Sequence, residues 1–116
     1  MGMNAKELLS YDDLTRRMIT VKKWKNLKLE IVEMNGEERN KVIEISQKDG
    51  KIDSQLFAEQ VMLASVRDPE TGQPFFDLET VKALQKKSWQ ALAQVATAVF
   101  DINGIGEKGF EEAEKN

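Results

Sequence analysis

The sequence predicts an α+β fold, mainly helical, with four to five helices and a small antiparallel β-hairpin near the N-terminus. Three observations carry that expectation. Two runs, Ile19 to Lys22 and Leu27 to Ile31, alternate apolar and polar side chains with a period of two, residues 35–103 place apolar side chains at helical spacing, and Pro69, Gly72 and Pro74 break the chain between helices.

The elements follow in order. Asn4 and Glu7 form a helix-start pair, so a short helix is expected over Ala5 to Leu9, ended by the turn Ser10-Tyr11-Asp12-Asp13. Ile19 and Val21 alternate with Thr20 and Lys22 in a strand from Met18 to Lys23, and Leu27, Leu29 and Ile31 alternate with Lys28 and Glu30 in a second strand to Val32. Trp24-Lys25-Asn26 is short enough to join the two as a hairpin with one apolar face. Asn35-Gly36-Glu37-Glu38 reads as a cap with an acidic first turn, starting a helix that runs to about Lys48 with Val42, Ile43 and Ile45 inward, and Asp49-Gly50 ends it. Asp53 or Ser54 caps the next helix, whose apolar positions are Leu56, Phe57, Val61, Leu63 and Ala64 up to Val66. After the turn-rich "RDPETGQPFF", Asp77 caps a helix carrying Leu78, Val81 and Leu84. Ser88 starts the last and most periodic helix, with Trp89, Leu92, Ala93, Ala96, Val99, Phe100 and Asn103 along one stripe.

At 116 residues the chain is the size of one domain, able to bury roughly two thirds of the surface that its unfolded form exposes. Residues 1–104 are expected to form a single globular domain. Residues 105–116, where glycines precede an acidic run, are expected to form a flexible acidic tail. The chain has no Cys and no His, which removes disulfides, thiolate or imidazole zinc sites, Ser-His and Cys-His nucleophile pairs, and the commonest general base at neutral pH. No catalytic residue, cofactor site or metal site is therefore nominated. The net charge of −3 gives no bulk attraction to nucleic acid, and no apolar run approaches the roughly 18 residues of a membrane span. The N-terminus lacks the organisation of a signal peptide, so a soluble intracellular protein is expected.

Four local patterns invite functional readings. Gly104, Gly106 and Gly109 spell G-x-G-x-x-G, but a dinucleotide loop needs a strand before the glycines, and here a helix ends at them. Asp101, Asn103, Gly106 and Glu112 fall at positions 1, 3, 6 and 12 of a calcium loop, yet Ile105 at position 5 offers no oxygen. Arg16, Arg17, Lys22, Lys23, Lys25 and Lys28 form a basic stretch around Trp24, which suits phosphates and a stacked base, or simply the solvent face of a strand. Phe75 and Phe76 follow a proline turn and cannot easily face the same way, so one is expected in the core and the other exposed to a partner. Trp89, Phe100 and Phe57 are expected in the core.

Taken in order, "ITVKKWKNLKLEIVEMNGEERNKV", "LASVRDPETGQPFFDLETVKALQKKS" and "ALAQVATAVFDING" resemble the tail assembly chaperones of long-tailed bacteriophages with flexible or non-contractile tails, from about Ala5 to the terminal "AEKN". The resemblance implies a non-enzymatic helper, made in the host bacterial cytoplasm and absent from the mature virion. It would bind the tape measure protein, the long helical rod whose length sets tail length, and recruit the tail tube protein to polymerise around it. In many members a ribosomal frameshift yields a longer form that contacts the tube protein, and here the two forms would diverge after Gly104. Shielding a long apolar rod needs many copies, so a homo-oligomer is expected, formed through the hairpin edge and Phe75 or Phe76. Candidate partner-binding residues are Trp24, Lys22, Lys25, Phe75 and Phe76. The alternative reading is a small nucleic-acid-binding regulator using the basic hairpin.

Overall fold

A computed structural model describes residues 2–106. Its order is α1 (Ala5–Ser10), β1 (Arg16–Val21), β2 (Leu27–Val32), α2 (Gly36–Ser46), β3 (Gln47–Lys48), β4 (Lys51–Ile52), α3 (Ser54–Ser65), β5 (Val66–Arg67), α4 (Leu78–Ala83) and α5 (Trp89–Ile102). The mainly helical α+β class and the N-terminal hairpin are as the sequence predicts.

β1 and β2 pair antiparallel, with Ile19 opposite Leu29 and Val21 opposite Leu27. The inner face so formed is covered by α5, and Val21, Leu29 and Ile31 on it are wholly buried. They meet Val61 of α3, Val66, and Val95 and Val99 of α5 in one core, where each fully buried aliphatic side chain contributes roughly 1.5–3 kcal/mol. β1 starts and ends two residues earlier than alternation suggests, because Lys22–Trp24 coil into a 3-10 turn. Lys25 and Asn26 then take positive φ of 57° and 59° to reverse the chain into β2.

Three expectations in the helical region are corrected. α2 stops at Ser46 rather than Lys48, since Gln47–Lys48 pair with Lys51–Ile52 around Asp49-Gly50. Both turn residues have positive φ, as a two-residue hairpin turn demands, so this dipeptide makes a hairpin where the sequence suggests a helix stop. The inward positions of α2 are Val42, Ile43 and Ser46, which leaves Ile45 42% exposed on the outer side. Val66–Arg67 is a third strand, pairing with Glu30–Ile31 of β2, rather than the tail of α3.

The cap expectations hold. Asn35 and Glu38 form a reciprocal capping box at α2, Asp53 accepts from the Leu56 amide at 2.9 Å, and Asp77 with Thr80 closes the start of α4. Leu78, expected inside, is 47% exposed while Val81 carries the packing of α4. α5 runs as expected from Ser88, but its buried line is Ala91, Val95, Ala98, Val99 and Ile102. Trp89, expected in the core, is 79% exposed. Gln90, Gln94, Thr97 and Asp101 form an exposed polar stripe along α5, and Trp89 in the first turn stands on its solvent side rather than with the buried line.

α5 ends in a Schellman closure. Gly104 at φ 65° donates to the Asp101 carbonyl at 3.1 Å and Ile105 donates to Phe100 at 2.8 Å. Ile105 and Phe100 both pack on the core, the apolar contact that accompanies such a stop. The glycine triplet thus begins as a helix terminator rather than a phosphate loop; Gly109 lies outside the described residues.

Beside that closure, Asn103 joins three segments. Its Oδ1 accepts from the Met34 amide at 2.7 Å, and its Nδ2 donates to Ser65 Oγ and to the Val99 carbonyl, both at 2.9 Å. The calcium reading loses this ligand, because the side-chain oxygen is committed to the backbone between β2 and α2. Glu112, which that reading also needs, lies outside the described residues.

Candidate partner-binding surface

The candidate partner-binding residues lie on two separate stretches, 22–25 and 75–76, and the turn after β5 brings them together. Asp68 Oδ1 accepts from the Glu70 amide, the Asp68 carbonyl accepts from Gly72 at 2.7 Å, and Gly72 takes φ 73°. This folds "DPETGQP" back so that Pro74 bridges Arg67 and the Phe75 amide donates to the Val66 carbonyl at 3.0 Å. The aromatic pair is thereby fixed on the edge of the sheet. Asp77 follows at once as the α4 cap, so both sides of the pair are anchored.

Phe76 turns inward and is 8% exposed, whereas Phe75 is 38% exposed. Their rings meet edge-to-face with centroids 5.1 Å apart, a favoured aromatic geometry. The division expected of this dipeptide is therefore present. Both rings line a groove of about 390 Å³ with Trp24, Leu84 and the side chains of Lys23, Lys25 and Lys87. Trp24 is half-buried there and rests on the core. Phe75 is also a wall of a neighbouring depression that contains Met18, Leu27 and Pro69 together with Lys28, Asp68 and Glu70.

Four of the five candidates, Trp24, Lys25, Phe75 and Phe76, thus share one groove. Lys22 does not: it lines a shallow depression with Thr20, Gln90 and Gln94, joined to the groove through Lys23. Leu84 and the exposed Trp89 are expected from the sequence as helix-packing and core positions rather than partner-binding ones, and Lys87 is not singled out. Nothing local marks Leu84 or Lys87, which reach the groove only because α4 packs on α3 and returns the chain to the start of α5.

The electrostatics divide the basic stretch. Arg16 pairs with Asp12 at 3.4 Å, and Lys28 shares its depression with Asp68 and Glu70. The groove, by contrast, has three lysines and, among the described residues, no acid in its lining. It suits a ligand that is apolar in the middle and acidic at its flanks.

The perturbed carboxylates belong to local turns. The Thr80 amide, and then its hydroxyl, hold Asp77 below the ordinary carboxylate value; the Leu56 amide does the same for Asp53, helped by Lys48; the Leu14 amide does so for Asp12, helped by Arg16. Each is held ionised by the backbone that it caps. Among the described residues, no three acidic side chains gather as a metal cage requires, and no helix is long and apolar enough to cross a membrane.

No family model and no curated protein matches this chain in sequence. Among solved structures it is similar to the bacteriophage HK97 tail assembly chaperone, over 88% of this chain and 95% of that one, with a TM-score of 0.57 and 13% identity. The resemblance read from the order and spacing of the sequence has its counterpart in three dimensions: this chain has the fold of the bacteriophage HK97 tail assembly chaperone.

Proposed function

We propose that this chain is a phage tail assembly chaperone that binds and solubilises the tape measure protein and promotes tail tube polymerisation around it. The observation that carries the reading is the shared fold, which spans nearly the whole of both chains. The groove supports it. A tape measure protein awaiting assembly is a long helix with apolar stripes. One such stripe can lie against Trp24, Phe75 and Leu84 while acidic side chains beside it meet Lys23, Lys25 and Lys87. Phe76 backs the groove from within the core and gives it a rigid floor. The role is a non-enzymatic one: it asks for a shaped apolar surface and reversible binding, and the chain has no His or Cys with which to do the commoner hydrolytic chemistries.

In this reading the protein works in the host cytoplasm, self-associates along the rod and leaves before the virion matures. The tube protein is recruited directly or through a longer frameshifted form. Co-expression with a tape measure fragment tests it. The fragment is expected to become soluble and co-purify with the wild-type chain, and to return to the pellet with Trp24→Ala/Phe75→Ser. A fragment that stays insoluble beside well-folded wild-type chaperone would sink the assignment.

A further inference from the structure

Phe75 is a wall shared by two depressions of opposite character. On one side lies the groove of about 390 Å³ with Lys23, Lys25 and Lys87 and, among the described residues, no acid. On the other lies a depression of about 580 Å³, where Met18, Leu27 and Pro69 are accompanied by one cation, Lys28, and two acids, Asp68 and Glu70. The hairpin turn divides its residues between them in sequence: 23–25 line the groove and 26–28 the depression. Apolar surface therefore continues from Trp24 and Leu84 across Phe75 to Leu27 and Met18, while the excess of charge changes sign along it. We propose that this surface reads the direction of its partner: it takes an amphipathic helix whose apolar stripe crosses Phe75, with acidic side chains over the groove and basic side chains over the depression.

Burial of the stripe does not distinguish the two directions of the helix, because the hydrophobic effect is non-directional. The charges do. A helix laid the other way sets its cations on Lys23, Lys25 and Lys87 and its acids on Asp68 and Glu70, so like charges meet at both ends. Asp68 is half-buried and the other charged side chains are exposed, so each pair is a screened one and the preference comes from several acting together. Glu70 is free to serve in this way: the Asp68 turn uses its backbone amide, and its carboxylate makes no hydrogen bond among the described residues. On a rod whose charges are segregated in this sense, every bound copy faces the same way along it.

This rests on the reading of the groove as a docking surface for a client helix, and the test separates the two. The probe is one synthetic helix with a leucine stripe, glutamates in its first half and lysines in its second, bound to the full chain at low salt and followed by fluorescence anisotropy. Lys23→Glu/Lys87→Glu makes the groove acidic and Glu70→Lys makes the depression basic. Each alone is expected to weaken binding about threefold to tenfold, an effect that fades with added salt. The two together should bind more tightly than either alone, because the helix can then turn round. A nitroxide on the acidic end of the helix should broaden the Trp24 indole resonance more than the Met18 methyl resonance in the wild type, and the order should invert in the doubly reversed chain. Equal broadening in the wild type, or a doubly reversed chain that binds no better than either single reversal, would overturn the proposal. A helix that binds without directional order and is lost with Trp24→Ala/Phe75→Ser overturns the polarity and leaves the docking surface standing; a helix that does not bind the wild type removes both. Thermal melts establish that the variants are folded; should the groove reversal melt early, the wild-type broadening and the loss of its order in Glu70→Lys decide the matter alone.

Discussion

The two ends of α5 solve opposite problems. At its C-terminal end Asn103 satisfies the Met34 amide, Ser65 and Val99 together, and Gly104 and Ile105 close the last turn. At its start Trp89 stands in solvent, two residues after Lys87 of the groove, where Trp24 and Phe75 are only partly covered. One end is committed to holding three segments in register. The other leaves large apolar side chains uncovered, a pattern that marks interaction surfaces.

The sharpest way to break this contrast is Asn103→Ala. It strips partners from an amide and a hydroxyl at a part-buried junction, so a loss of about 2–3 kcal/mol is expected, seen as a melting temperature lower by roughly 10–20 °C. Client capture at temperatures well below the melt should be unchanged. Ser46→Ala should act with the opposite sign: Ser46 Oγ is buried with no hydrogen-bond partner among the described residues, and removing it is expected to raise stability by about 1 kcal/mol in a denaturant titration. Trp89→Ser at the other end is expected to move stability by no more than about 0.5 kcal/mol while reducing the yield of co-purified tape measure fragment. A large loss of stability there would mean that the side chain is structural after all.

The smallest effect concerns acid. Asp77 has a folded-state pKa below its ordinary value of 3.8, chiefly because the Thr80 amide donates to it. Its contribution to stability is therefore fully present above the unfolded pKa and is lost as pH falls through the depressed folded value. Asp77→Asn keeps a capping oxygen but not the titration, so its stability curve should be flatter than wild type on the acid side of pH 4, as read by melts at stepped pH.

What was legible in the sequence was local. Asn35, Asp53, Asp77 and Ser88 mark helix starts because a cap needs only its own next three residues. The main hairpin was visible because Ile19 and Val21 alternate with Thr20 and Lys22, and Leu27, Leu29 and Ile31 with Lys28 and Glu30. β3, β4 and β5 were not, since two-residue strands have no period to detect. Asp49-Gly50 has the same composition whether it ends a helix or turns a hairpin, and Gln47 pairing with Ile52 decides between them. For Trp89 the obstacle was its place in the first turn of α5, next to the polar stripe of Gln90, Gln94, Thr97 and Asp101, where an apolar side chain type alone does not mark burial. The groove was half legible: Trp24 and Phe75 could be singled out by type, but their meeting with Leu84 and Lys87 is a product of the tertiary fold.

The stop at Gly104 has a further consequence for how such a chain can be built upon. The closing hydrogen bonds from Gly104 and Ile105 point back into α5, and Ile105 rests on the core, so the end of α5 is closed by its own next two residues. A different polypeptide grafted after Gly106 would follow a helix end that is already closed, and is expected to leave that closure intact. That makes the junction a natural splice point, at which one body can carry interchangeable C-terminal cargo.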